Sequence, residues 1–306
     1  MSDTALAPSS TALNGENGKV DKPRSLFSDA MRDLRRRPVF WIGLAVVLLV
    51  VLMAAFPSLF TSADPRHCVL ARQHEPPSGV AYFGYDFQGC DVFARAVHGA
   101  RTSLVVGFIG VAVATVLALV IGMTAGYFGG WIDSLLSRII DIVLGVPFLL
   151  AGVVLATRLS QGGRSTNVVP VILVLGLLGW TTAARVIRSS VIAAKNQDYV
   201  TAARMLGASS ARIIWRHILP NALAPTVVVL TIALGGFITT EATLSFLGVG
   251  LRDPAISWGI DISNATRYIR LAFLPLFAPA SFLAITVLGF IMLGDAIRDA
   301  FDPKLR

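Results

Sequence analysis

Six apolar runs, each close to 20 residues long, decide what this chain can become. They cover approximately residues 41–60, 102–126, 139–159, 168–184, 222–247 and 273–293. About 20 apolar residues cross the roughly 30 Å of hydrocarbon in a bilayer. In lipid each run is expected to be a helix, because a helix satisfies its own backbone hydrogen bonds where there is no water to do so. The composition agrees, with 55% of the 306 residues hydrophobic and only 14% charged, which is too apolar for an ordinary soluble domain. The expectation is an all-α integral membrane protein with six transmembrane helices.

The first run is read as an uncleaved span. Forty residues precede it, and it exceeds the roughly 7–15 apolar residues of a secretory signal. The tail before it, with Pro8, Gly15 and Gly18, has little to bury and is expected to be disordered. Its end, "RDLRRRP" over 32–38, reads as a positive-inside flank. A chain that starts inside and crosses six times ends inside, and the charges fit this path. Segments 1–40, 127–138, 185–221 and 294–306 hold 17 of the 26 Lys and Arg residues, including Lys19, Lys22, Lys195 and Lys304. The chain therefore divides into a basic cytoplasmic tail (1–38), a first transmembrane helix (39–60), an extracytoplasmic loop (61–101), a transmembrane core (102–296) and a cytoplasmic C-terminal tail (297–306). The net charge of +8 faces anionic lipid headgroups. No compact basic domain carries it toward nucleic acid.

One stretch interrupts the apolar pattern. "DYVTAARMLGASSARIIWRHILPN" occupies 198–221, between the fourth and fifth spans, and is placed in the cytoplasm. It reads as two short helices. Asp198 is a candidate N-cap for 199–206, Gly207 stops that helix, and Ser209 or Ser210 caps 211–217 before Pro220 closes the unit. Val200, Ala203 and Leu206 share a face at helical spacing, as do Ile214 and Ile218, while Arg204, Arg212 and Arg216 supply charge. From periodicity alone it reads as an amphipathic helix resting on the membrane surface.

The order of residues adds a second reading. Ala202, Ala203, Gly207, Leu219 and Pro220 have the spacing of the EAA loop of ABC importer permeases, Glu-Ala-Ala-x3-Gly-x9-Ile-x-Leu-Pro. Thr201 stands where that pattern has Glu, and His217 where it has Ile. The fuller "YVTAARMLGAS…RIIWRHILPN" resembles the dipeptide/oligopeptide/nickel branch, specifically its C-type permease subunit. Four more segments are similar to that branch. They are "FGYDFQGCDVFARAVHGARTSL" (83–104, departing at Tyr85 and Cys90), "GYFGGWIDSLLSRIID" (126–141), "TEATLSFLGVGLRDPAISWG" (240–259) and "LGDAIRDAFDPKLR" (293–306).

The resemblance implies the fold of a type I ABC importer permease, with a cytoplasmic coupling helix between helices 4 and 5. It implies a second homologous permease as heterodimer partner and two cytoplasmic ATPase domains that bind ATP and Mg, this chain itself holding no cofactor. It further implies an extracytoplasmic solute-binding protein and a dipeptide or short oligopeptide cargo, with nickel or another small solute as the alternative. Tyr199, Ala202, Ala203, Arg204, Leu206, Gly207, Arg212, Ile213, Ile214, Arg216, His217, Leu219 and Pro220 would then form the ATPase-coupling element. Leu206, Ile213, Ile214 and Ile218 would supply its packing, and the arginines its orientation.

The chain lacks the chemistry to power transport through a P-loop. Its only Gly-Lys pair, Gly18-Lys19, is followed by Val20 and has no upstream glycine of the motif. A self-powered secondary transporter would need an intramembrane ion site, for which Glu241 alone is a poor proton relay. No clustered nucleophile, base or metal ligands support an enzyme.

Cys68 and Cys90, the only cysteines, fall in one outer loop and are a candidate disulfide. The alternative, a metal site with His67 and His74, matches no standard zinc spacing. Asp141 is expected to pair with Arg185 or Arg138. Glu241, with Thr240 and Ser245, is a candidate for the substrate path, or for an outer gate through pairing with Arg101 or Arg252.

Overall fold

The computed structural model describes residues 26–160 and 168–301. The tail 1–25 with Lys19 and Lys22, the segment 161–167 and residues 302–306 with Lys304 lie outside the described residues. Among the described residues the chain folds as helices only, apart from one isolated bridge between Tyr85 and Asp91. In order they are α1 (Leu26–Arg36), α2 (Pro38–Ala55), α3 (Val92–Phe128), α4 (Gly130–Gly145), α5 (Phe148–Ser160), α6 (Val168–Gly179) and α7 (Thr181–Lys195). There follow α8 (Asp198–Met205), α9 (Ser210–Ile213), a π-helical turn (Ile214–Ile218), α10 (Leu219–Phe246), α11 (Trp258–Thr266) and α12 (Leu274–Phe301).

Five rods among the described residues are long and apolar enough to cross a membrane: α2, α3, α6 joined to α7, α9 continued through the π turn into α10, and α12. The pair α4 and α5 makes a sixth if it is counted as one span, but it is bent by 88°. The break falls at Val146 and Pro147, where proline removes a backbone donor and disfavours helix in the residue before it. The span expected over 139–159 is thus two helices meeting at a sharp corner.

α3 is the axis of the bundle and packs against α2, α6, α7 and α10. With 37 residues it is about 55 Å long, longer than the hydrocarbon is thick. Its contact faces carry small residues, which let helix backbones approach in the membrane. Gly122 lies so close to α7 that a Cβ there would stand 2.6 Å from Ala184 O, and one on Gly126 would stand 2.8 Å from Val191 Cβ. Ion pairs tie α7 to α4 as well. Arg188 on α7 contacts Asp133 on α4 at 2.5 and 2.7 Å, and Arg185 contacts Asp141 at 2.5 Å. Of the two partners expected for Asp141, the structure selects Arg185. The Lys195 ammonium donates to Tyr127 O at the end of α3.

The helix α3 starts ten residues before the apolar run that announced it. Asp91 accepts a hydrogen bond from Ala94 N at 3.0 Å and caps its first turn. The expected loop over 61–101 thus includes almost three turns of helix.

Candidate functional site

Residues 198–221 form a bent knuckle, and its parts differ from the sequence reading in two ways. The N-cap of α8 is Gln197, with Asp198 inside the first turn, where its charge meets the positive end of the helix. Gly207 adopts φ +80° and turns the chain, a conformation costly for residues with a Cβ. Ser209 then caps α9 by accepting from Arg212 N at 3.4 Å. Pro220 does not close the unit. It sits in the first turn of α10, and the N–H of Leu219 reaches back five residues to Ile214 O. The wider π turn lets one rod run through the proline without a break.

Burial divides the knuckle's apolar residues into two sets. Val200, Ile213 and Ile218 are sunk into their own chain, whereas Met205 and Leu206 are 84% and 88% exposed and Trp215 is 70% exposed. The expectation that Ile213 and Ile218 face a partner is corrected: they anchor the knuckle. Ile214 is half-buried. Ala202, Arg204, Arg212, Arg216 and Pro220 are exposed, and Ala203, His217 and Leu219 are half-buried. Asn221 ties the two ends together, donating from Nδ2 to Tyr199 Oη at 2.9 Å and to His217 O at 2.7 Å. Trp215 and Met205 lie outside the motif positions, and an apolar residue beside arginines was the signal available for them.

A cavity of about 570 Å³ lies within the membrane-spanning bundle. Its wall is built from Val111 and Ala114 of α3, the corner between α4 and α5 (Leu144 to Phe148), the junction of α6 and α7 (Gly179, Thr181, Thr182) and Ile232, Ala233 and Thr240 of α10. Among the described residues no charged side chain lines it. Thr240 borders the cavity but returns its hydroxyl to Gly236 O at 2.8 Å.

Glu241 and Ser245 are not part of that wall. Glu241 is fully buried and accepts hydrogen bonds from Ser103 Oγ and Ser245 Oγ, both at 2.9 Å. Ser245 Oγ in turn accepts from Leu251 N at 3.0 Å. The expected arginine partners are corrected: Arg252 donates to Gly248 O at 2.9 Å, and Arg101 is exposed. Two serines and a backbone amide bind α3, α10 and the following loop around one carboxyl group.

Between α2 and α3 the sulfurs of Cys68 and Cys90 lie 1.99 Å apart in a disulfide, so neither thiol is free to join His67 or His74 around a metal. Among the described residues no group of three or more His, Cys, Asp or Glu side chains is placed to hold a metal ion. Asp86 accepts from Cys90 N at 2.9 Å and lies 3.7 Å from Arg95 Nε, and Arg95 reaches Asp261 on α11 at 2.5 Å. Burial pushes the Asp261 carboxyl up to about 6, against the opposing pull of the Arg95 guanidinium. Trp258, fully buried, donates from Nε1 to Ala96 O at 2.8 Å. The Arg95–Asp261 and Trp258–Ala96 pairs are not visible in local sequence, because each joins segments more than 160 residues apart.

Broken and bent spans around a central cavity, with a knuckle continuing into a transmembrane rod, define a permease of the ABC importer class. The same fold is found in a solved amino acid ABC transporter, with TM-score 0.51 and 19% identity over 66% of this chain and 91% of that one. It recurs in the inward-facing MetNI methionine ABC transporter, with TM-score 0.51 and 23% identity over 67% and 96%.

Residues 118–306 match the binding-protein-dependent transport system inner membrane component family, and residues 25–77 match the N-terminal TM domain of oligopeptide transport permease C; the chain belongs to this family. It is 36% identical to the oligopeptide transport system permease protein OppC of Bacillus subtilis (strain 168), over 95% of this chain and 94% of that one. It is 36% identical to the dipeptide transport system permease protein DppC of Alkalihalophilus pseudofirmus over 92% and 91%, and 32% identical to the glutathione transport system permease protein GsiD of Pectobacterium atrosepticum over 90% of each. The chain is a multi-pass membrane transport subunit and not an enzyme.

Proposed function

We propose that this chain is one transmembrane half of an ATP-driven importer of dipeptides or short oligopeptides. A second homologous permease completes the pathway, two cytoplasmic ATPase domains bind ATP and Mg, and an extracytoplasmic solute-binding protein delivers the cargo. Both termini lie in the cytoplasm, in keeping with the Lys and Arg bias. Binding of ATP closes the ATPases, draws the knuckles of the two permeases together and opens the cavity outward; hydrolysis reverses the motion. The segments 61–101 and 248–271 receive the binding protein.

The observation that carries this reading is the knuckle. Met205 and Leu206 stand almost fully exposed at its tip, while its base continues as the α9–α10 rod that borders the cavity. Such an apolar tip on a rigid base suits a groove in a motor subunit, since a flexible loop would absorb the force. The peptide cargo rests on the names of the OppC and DppC relatives. The test is a Met205→Cys chain, crosslinked in native membranes and paired with uptake of a labelled dipeptide. The expected result is a crosslink to a nucleotide-hydrolysing subunit and uptake that stops when that subunit is deleted. Uptake that persisted without it would indicate a self-powered transporter.

A further inference from the structure

The wall of the cavity holds a group that its surroundings leave idle. Thr181, at the start of α7, is only 3% exposed and borders the cavity, yet its hydroxyl has no hydrogen-bond partner among the described residues. Neighbouring helical threonines behave differently: Thr115 returns its hydroxyl to Val111 O at 2.7 Å and Thr240 to Gly236 O at 2.8 Å. Facing the cavity without a protein partner, this hydroxyl is open to a ligand there.

Two helix starts line the same cavity. The first closed turn of α5 is Ala151 N to Pro147 O at 3.0 Å, and that of α7 is Ala184 N to Trp180 O at 2.9 Å. The amides that precede those bonds, at 148–150 and 181–183, are the orphan donors of a helix N-terminus. Such ends attract anions. The opposing carbonyl ends are partly answered by protein donors: Trp180 Nε1 donates to Leu177 O at 2.9 Å, and Val146 N to Val143 O at 3.3 Å. Among the described residues this wall carries no charged side chain, and low polarity strengthens the pull of these amides.

We infer that Thr181 and the first turns of α5 and α7 form a subsite for the terminal carboxylate of the peptide in transit. The inference rests on the peptide-importer reading and adds to it the end of the cargo that this chain holds. Every unmodified peptide carries that carboxylate whatever its side chains, so a subsite of this kind grips many cargoes without selecting among them. The 570 Å³ of the cavity leaves room for the remainder of a short peptide.

The test uses the complete complex in proteoliposomes, with trialanine or trialanine amide delivered from binding protein whose loading is checked by mass spectrometry. Trialanine has no acidic side chain, so only its terminal carboxylate differs from the amide. The wild-type complex is expected to move the acid about tenfold faster than the amide, the scale of a hydrogen bond to a charged group. Thr181→Val, which keeps the shape and removes the hydroxyl, is expected to slow the acid and bring the two rates within about twofold; Thr181→Ser is expected to restore the difference. Equal slowing of both peptides by Thr181→Val, or an unchanged ratio, would overturn the subsite. A wild-type complex that moved neither peptide would overturn the peptide-importer reading itself, an outcome separable from the first because it precedes any substitution.

Discussion

Arg95 and Asp261 meet at 2.5 Å although 166 residues separate them. The pair joins the outer end of α3 to α11, and both side chains are about nine-tenths buried. Removing one partner from a buried pair leaves an uncompensated charge and typically costs about 3–5 kcal/mol. Arg95→Leu is therefore expected to lower the thermal midpoint of the purified chain sharply, while Arg101→Leu, at an exposed site, changes it little.

The same carboxyl sets a pH dependence. Burial raises Asp261 from an ordinary value to about 6, so the folded chain holds a proton there that the unfolded chain has released. Its contribution to stability is greatest below about pH 4, falls as pH rises through 4 to 6, and is constant above. The difference in thermal midpoint between wild type and Asp261→Asn is expected to shrink over that window and then level off. A difference that grew with pH would contradict the assignment.

Gly122 offers a test of the bundle's packing. A Cβ at this position would stand 2.6 Å from the backbone oxygen of Ala184, an atom that cannot rotate away. Gly122→Ala is expected to destabilise by about 1–3 kcal/mol through overpacking, measured as loss of folded protein in detergent on heating. Gly236→Ala, which meets nothing within 4 Å, is the control.

The knuckle separates stability from coupling. Leu206→Asp changes an 88% exposed side chain, and exposed substitutions usually stay within about 0.5 kcal/mol. It is expected to leave folding intact and to reduce ATP-driven uptake at least tenfold. Ile213→Asp, at a position 1% exposed, is expected to fail earlier, in folding, and to show as reduced membrane levels on immunoblots.

Cys68 and Cys90 close a loop of 22 residues. In the chain-entropy model such a bridge contributes roughly 3 kcal/mol. Replacing both by Ser is expected to make the outer loop cleavable by protease in intact proteoliposomes. Non-reduced tryptic digests of the wild type are expected to contain the linked peptides.

The spans were legible in the sequence because hydrophobic runs of about 20 residues are a local signal, and so was the turn at Gly207. What escaped depended on residues far apart. The polar start of α3, with Arg95 and His98, broke the apolar window, and only Asp261 and Trp258 from a later segment explain why helix continues there. Glu241 invited an arginine partner because opposite charges are the obvious pairing, whereas two serines from α3 and α10 answer it. A proline such as Pro147 marks where a helix can break, but the 88° angle of the break is a tertiary feature that no local pattern encodes. Ile213 and Ile218 read as partner-facing because periodicity finds a face without saying what covers it.

The single unbroken length of α3 has a mechanical meaning. A rod of about 55 Å that tilts by about 10° around its middle carries each tip sideways by about 5 Å in opposite directions. Its inner third is gripped by α7 through Gly122 and Gly126, and its outer third by Asp261 and Trp258. A seesaw of this kind would turn a small push beneath the membrane into a parting of the surfaces above it, with no loop in between to soften the stroke.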